Sequence, residues 1–129
     1  MAVFNMALLQ LDTQDEKETN LRRISEMIDE AASKRARFIC MPEMANYIGI
    51  GDGPFNNAED IPGGKTCALF SEKAKEHGVW IHGGSICERI HDEKRVYNTT
   101  VVMNPKGEIA AKYRKIHLYD IDVKNGISF

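Results

Sequence analysis

The chain opens on an almost unbroken apolar run. Residues 3–11 read Val-Phe-Asn-Met-Ala-Leu-Leu-Gln-Leu, a length and continuity that suit a strand covered on both faces. The period then changes. Leu21, Ile24, Ile28, Ala31 and Ala32 recur at helical spacing, with Arg22, Arg23, Glu26 and Asp29 on the other side. Thr13 and Glu16 stand at capping-box spacing, and Asp15, Glu16 and Glu18 place negative charge in the first turn. Lys34, Arg35 and Arg37 supply the positive charge that a helix C-terminus favours. Phe38-Ile39-Cys40-Met41 reads as a short buried strand, halted by Pro42. Strand, helix and strand in this order predict a βαβ unit with a right-handed crossover.

Residues 44–65 hold five of the ten glycines, together with Pro54 and Pro62, and keep no sustained period. The segment is predicted to be a long loop, and a loop of that length inside a compact domain is usually functional. Thr66 is placed to cap a second helix with Leu69, Phe70 and Ala74 on its inner face, ended by His77-Gly78. Val79 to Ile86 reads as a third strand, and Asp92-Glu93-Lys94 as a polar turn. Val96–Met103 and Glu108–Tyr113 are predicted to pair as a hairpin around Asn104-Pro105-Lys106-Gly107. This order describes one α/β layered domain over residues 1–129 with a mixed sheet. No internal repeat, low-complexity tract or linker interrupts it.

Composition narrows the function classes. Seventeen lysines and arginines face nineteen acidic residues, for a net charge of −2. Nothing in that balance supplies the basic field of a nucleic-acid binder. With 43% hydrophobic and 28% charged residues, the 129-residue chain can build a core, and a domain of this size buries roughly two-thirds of its unfolded surface. No apolar run approaches the ~20 residues needed to span a bilayer, so no membrane partner is expected. The N-terminus lacks the basic region of a secretory signal. Cys40, Cys67 and Cys87 are odd in number and widely spaced, which fits a reducing compartment. The expectation is a soluble cytoplasmic protein.

Several constellations invite chemistry and do not carry it. Gly63-Gly64-Lys65-Thr66 lacks the glycine that a phosphate loop needs five positions before Gly64, where Glu59 stands. His77, His82, Cys87 and His91 match no compact zinc spacing, and Gly51-Asp52-Gly53 lacks the repeated oxygen ligands of a calcium loop. No metal or cofactor is expected. Cys40 reads as a small hydrophobe in a buried strand. Cys67 opens a helix without a histidine near it in sequence, and Cys87 precedes Glu88-Arg89. All three are assigned structural roles.

Two ionisable residues remain where strands end, the usual place for chemistry on an α/β sheet. Glu43 follows Met41-Pro42, and Lys115 follows the second strand of the hairpin. On the residues alone, Glu43 reads equally as a solvated loop carboxylate and as a presented acid–base group, and Lys115 reads as part of a basic surface turn.

Taken together these fragments resemble the N-terminal half of the nitrilase, or carbon–nitrogen hydrolase, superfamily, with omega-amidase-like members the nearest subgroup. The resemblance rests on the first strand with Leu9-Gln10, Met41-Pro42-Glu43, Ile61-Pro62-Gly63-Gly64, Tyr97-Asn98-Thr99 and Tyr113-Arg114-Lys115-Ile116-His117-Leu118, in that order. It implies the N-terminal part of an αββα sandwich and a Glu-Lys-Cys triad acting on a small-molecule amide, nitrile or carbamoyl compound. Glu43 matches the general base and Lys115 the lysine that stabilises the oxyanion. Tyr47, in the long loop, is assigned either to the pocket lining or to a packed position, and Asn98 to hydrogen bonding within the sheet rather than to substrate contact. The family's nucleophilic cysteine lies some tens of residues beyond the lysine, and none of Cys40, Cys67 and Cys87 matches it. The resemblance therefore implies a chain cut before its nucleophile, within the loop after Asp120-Ile121-Asp122, and inactive alone. Its partners would be the missing C-terminal half or further copies of itself. The alternative is a non-catalytic interaction module built on the same fold. Arg35 stands where relatives often carry a helix-ending glycine, and a left-handed arginine there costs about 1 kcal/mol.

Overall fold

The computed structural model describes residues 3–118, so the loop expected after Asp120-Ile121-Asp122 lies outside the described residues. Strand β1 (Asn5–Leu8) runs parallel to β2 (Ala36–Cys40), with helix α1 (Lys17–Ser33) as the crossover between them. A single helical turn, α2 (Gly53–Asn56), sits inside the long loop, and α3 (Lys65–His77) leads to β3 (Trp80–His82), which is parallel to β2. The remaining strands are antiparallel. Along one edge, β5 (Val96–Met103) pairs with β3 and with β4 (Ile86–Arg89); along the other it pairs with β6 (Ile109–Arg114). The mixed α/β sheet read from the sequence is the one observed.

Helices α1 and α3 pack together on one face of the sheet. Leu21, Ile24, Ile28 and Ala31 of α1 and Cys67, Phe70 and Ala74 of α3 close over Ile39, Ile81, Ile86, Val101 and Met103. The helical period of those apolar positions is what turns one stripe of each helix inward. Phe70 is fully enclosed, and truncating such a ring to alanine costs about 3–5 kcal/mol. No helix of the described residues is long and apolar enough to cross a membrane.

The first strand departs from expectation. It has only four residues, and Met6 and Leu8 are 53% and 77% exposed. Met6, Phe38 and Trp80 stand in register across β1, β2 and β3 on the face away from the helices. The unbroken apolar run encodes cover on both faces, and among the described residues only one face is covered. The helix starts also differ. Helix α1 begins one residue after Glu16 without a side-chain cap, while the Thr13 hydroxyl donates to the Ala45 carbonyl at 3.2 Å. Thr66 lies inside α3, whose N-cap is Gly64. The Glu59 carboxylate does the capping instead, accepting from the Thr66 amide at 2.9 Å and the Thr66 hydroxyl at 2.8 Å. The predicted basic last turn of α1 falls beyond the helix: Lys34 is its C-cap and Arg35 adopts φ 65°.

The third strand is split. Gly83-Gly84-Ser85 separates β3 from β4, with Gly84 at φ 63°, a conformation that glycine adopts at little cost. This break positions the site.

Candidate active site

Glu43 owes its place to two neighbours. The Met41 amide donates to the His82 carbonyl at 3.0 Å, the last ladder bond before Pro42 removes the next donor. The chain then turns over the β3–β4 break. The Met44 amide donates to the Ser85 hydroxyl and the Ala45 amide to the Ser85 carbonyl, both at 2.9 Å. Gly84 lies so close beneath that a Cβ built there would stand 1.8 Å from the Pro42 carbonyl oxygen. Backbone therefore touches backbone on both sides of the glutamate.

Lys115 follows β6 directly, and its amide donates to the Asn98 carbonyl at 2.9 Å. Its ammonium donates to Glu43 Oε1 at 2.7 Å, and the Asn98 amide group donates to the same oxygen at 2.7 Å. These bonds hold the Glu43 carboxyl below the ordinary range, Lys115 contributing most and Asn98 next, so it is ionised at neutral pH. A cleft of about 350 Å³ surrounds the three, lined also by Met41, His82, Ser85 and Tyr113. A wider hollow of about 730 Å³ lies at the opposite end of the strands, between Arg35, Arg37, Phe38 and Trp80, and brings in no carboxylate. An anionic acid–base group beside a cation is present only in the smaller one.

The structure thus brings Glu43 and Lys115 into direct contact. Tyr47 is elsewhere: it is 6% exposed and packed inside its own loop, where Gly49 and Gly53 leave room for its hydroxyl. Asn98 does more than bond within the sheet, since its side chain leaves β5 to reach Glu43. Its presence in the Tyr97-Asn98-Thr99 fragment beside the lysine strand was the available signal. None of the three cysteines, all free, lines the cleft. Burial pushes the Cys67 and Cys87 thiols up to about 11, and the Cys40 thiol is also raised by burial.

The residues weighed as a zinc set are dispersed. His77 bonds Asp29 at 2.6 Å, His91 lies 3.1 Å from Asp60, and His82 lines the cleft. Among the described residues one group, Asp29, Glu76 and His77, gathers three potential ligands. The Lys73 ammonium already occupies it, donating to both Asp29 oxygens and to Glu76.

A second carboxylate has no motif in the sequence to announce it. Glu88, 4% exposed, accepts from Arg114, Lys112 and Thr99. Burial alone would raise its pKa, but these bonds outweigh it and hold the carboxyl at about 2.

Comparison with known proteins identifies the family. The chain is 44% identical to the omega-amidase NIT2 of Homo sapiens across its whole length, which is 46% of that relative. It is 41% identical to the chloroplastic omega-amidase of Arabidopsis thaliana, over 98% of this chain and 35% of the other. It therefore spans between about a third and half the length of these curated relatives. In fold it is similar to the crystal structure of the C. elegans NitFhit protein, with a TM-score of 0.84 at 21% identity, over 96% of this chain and 30% of that one. Residues 5–128 match the family described as carbon–nitrogen hydrolase, and the chain belongs to it.

Proposed function

We propose that this chain carries the base and the oxyanion-stabilising half of an amidase site, with a small carboxylic amide as substrate. The observation that carries the reading is the Glu43–Lys115 contact at 2.7 Å, buttressed by Asn98. With Oε1 already accepting two bonds, Oε2 of Glu43 takes the proton of a cysteine thiol contributed from outside these 129 residues. The thiolate attacks the amide carbon, and the Lys115 ammonium faces the oxyanion that forms. Glu43 returns the proton to the departing ammonia, leaving a thioester. It then accepts a proton from the water that attacks the thioester carbon, the C–S bond breaks to release the carboxylic acid, and the proton passes back to the cysteine sulfur. Removing one group that stabilises an oxyanion typically costs about 3–4 kcal/mol of transition-state stabilisation. Cover over the cleft would desolvate Glu43 and raise its pKa towards the working range, against the pull of Lys115. The three free thiols fit a reducing compartment such as the cytoplasm.

The uncovered sheet face supports an accompanying proposal. Met6, Leu8, Trp80 and Tyr113 are exposed large side chains, and such a surface calls for a partner. The partner we favour is the C-terminal half of the same fold; a homo-oligomer is the second form, and a non-catalytic interaction module the second reading of the chain. The natural gene product, assayed for ammonia release from a small dicarboxylic acid monoamide, tests both readings. Turnover lost in Glu43→Gln and Lys115→Met, from a product with an intact mass near twice that of 129 residues, supports the amidase. A product with the mass of 129 residues and no turnover supports the module. Turnover from the 129-residue chain that depends on Cys87 would overturn the assignment of an outside nucleophile.

A further inference from the structure

Strand β6 carries Lys115 to the site, yet its own burial does not specify its register. Among the described residues it is an edge strand joined to β5 alone, and the pairing has an irregularity between Val102 and Met103. Beyond Ile109 its side chains are exposed on both faces. Because strand side chains alternate, a slip of one residue would move Lys115 to the wrong side of the sheet. Among the described residues the strand has no buried stripe, so apolar packing within them cannot prevent that slip. Something else must.

We propose that Glu88 is a positioning residue for Lys115: it pins β6 through Arg114 and Lys112, so that the residue after Arg114 emerges on the Glu43 side of the sheet. Glu88 reaches from β4 across β5 to β6. Its Oε1 accepts from Lys112 Nζ at 2.5 Å and Arg114 Nη2 at 2.8 Å. Its Oε2 accepts from Arg114 Nε at 2.8 Å and the Thr99 hydroxyl at 2.8 Å. The guanidinium fork engages both oxygens, which fixes angle as well as distance. Arg114 is further held with its guanidinium carbon 4.1 Å from the centre of the Tyr97 ring. Lys112 and Arg114 are two residues apart and share a face; Lys115 is next and takes the other. Clamp and site are thus two faces of one strand pair, since the Lys115 amide bonds Asn98, whose side chain meets Glu43. Glu88 is the buried partner of these pairs, and fixing a register is one of the better-attested uses of a buried charge.

The proposal takes Glu43 and Lys115 as the working pair, but its test reads their contact in this chain rather than turnover. A complete enzyme without amidase activity therefore leaves it standing. Glu43 is followed by carbon-detected NMR titration of its carboxyl, and Lys115 by hydrogen exchange of its amide, in Glu88→Gln and Arg114→Ala. Arg114 is half-exposed, so its variant keeps the test open if Glu88→Gln does not fold. The expected result is an upward move of the Glu43 midpoint and faster exchange at Lys115, with amide signals of α1 and α3 unchanged. Arg114→Lys, which keeps the charge and loses the fork, should fall between. Unchanged Glu43 and Lys115 in a folded variant overturns the proposal. A change spread equally over α1 and α3 assigns Glu88 to general stability and overturns it too.

Discussion

Glu43 and Lys115 are 72 positions apart in the chain and 2.7 Å apart in space. The first belongs to the parallel half of the sheet, where Pro42 ends the ladder, and the second to the antiparallel half, just past the hairpin. The two halves share the β3–β4 break; Met41 and Ala45, on either side of Glu43, are tied to His82 and Ser85, and Lys115 to Asn98 of β5, by backbone bonds. Contact between carboxylate and ammonium is therefore a product of sheet topology, with no need for a dedicated loop to bring them together.

Replacing Lys115 tests that contact directly. Lys115→Met should raise the Glu43 titration midpoint towards the ordinary glutamate range, because the lysine bond is the largest cause of its depression. Asn98→Ala should move it in the same direction by less. Both groups of the ion pair are substantially exposed, so unfolding stability should change by no more than about 0.5 kcal/mol for Lys115→Met. Carboxyl NMR titration and urea unfolding of the same samples check the two halves of the prediction. An unmoved midpoint would mean that the pair is not formed in solution.

Much of this arrangement is legible in the residues, for identifiable reasons. The faces of α1 and α3 follow from apolar spacing, and the hairpin from Asn104 to Gly107, where the Asn104 side chain accepts from the Lys106 and Glu108 amides. His77-Gly78 ends α3 as read, with Gly78 at φ 63°. What escapes reading depends on distant partners. Glu59 caps α3 from seven residues before Thr66, and Lys17 pairs with it from the start of α1. No local pattern announces such a cap. Glu88 is hidden for the same reason, since its partners lie on β5 and β6. Of the candidate site, Glu43 and Lys115 are pointed to by the family resemblance of their motifs, while the reach of Asn98 requires the register of three strands.

Glu88 also makes acid stability predictable. Its folded carboxyl titrates at about 2, against 4.5 for the ordinary group. A depressed carboxylate contributes stability that is complete above the unfolded value and is lost as pH falls through the folded one. The contribution at neutral pH is on the order of 3 kcal/mol, lost between pH 4.5 and 2. Other depressed carboxylates, Asp29 among them, add to the same slope. The test is therefore a difference: Glu88→Gln should be the less stable protein at pH 7, with the gap narrowing towards pH 2. Chemical denaturation across that range measures it, and a gap independent of pH would contradict the assignment.

Arg35 offers a stabilising substitution. Its amide donates to the Ala32 carbonyl at 2.9 Å and its φ is 65°, the left-handed turn that commonly follows a helix. An arginine there bears the steric cost of its Cβ, about 1 kcal/mol. Arg35→Gly should stabilise the fold by about 0.5–1 kcal/mol, raising Tm by roughly 2–5 °C. Arg35→Ala keeps a Cβ and should bring no comparable gain. Thermal unfolding of the two variants separates relief of backbone strain from loss of the arginine side chain.

Gly84 should be the most sensitive glycine at the site, and Gly51 supplies its control. Both have a left-handed backbone, at φ 63° and 60°. A Cβ on Gly51 would meet nothing within 4 Å, whereas one on Gly84 would stand 1.8 Å from the Pro42 oxygen and 2.8 Å from its carbonyl carbon. The obstacle is backbone, so no side-chain rotation relieves it, and the turn bearing Glu43 must shift. Gly51→Ala should therefore cost only the conformational term, about 1 kcal/mol. Gly84→Ala should cost about 3 kcal/mol or more, combining that strain with the overlap. It should also return the Glu43 midpoint towards the ordinary range by separating the carboxylate from Lys115, an effect Gly51→Ala should lack. Equal losses in the two variants, with Glu43 unmoved, would mean that the Pro42–Glu43 turn yields without disturbing the pair.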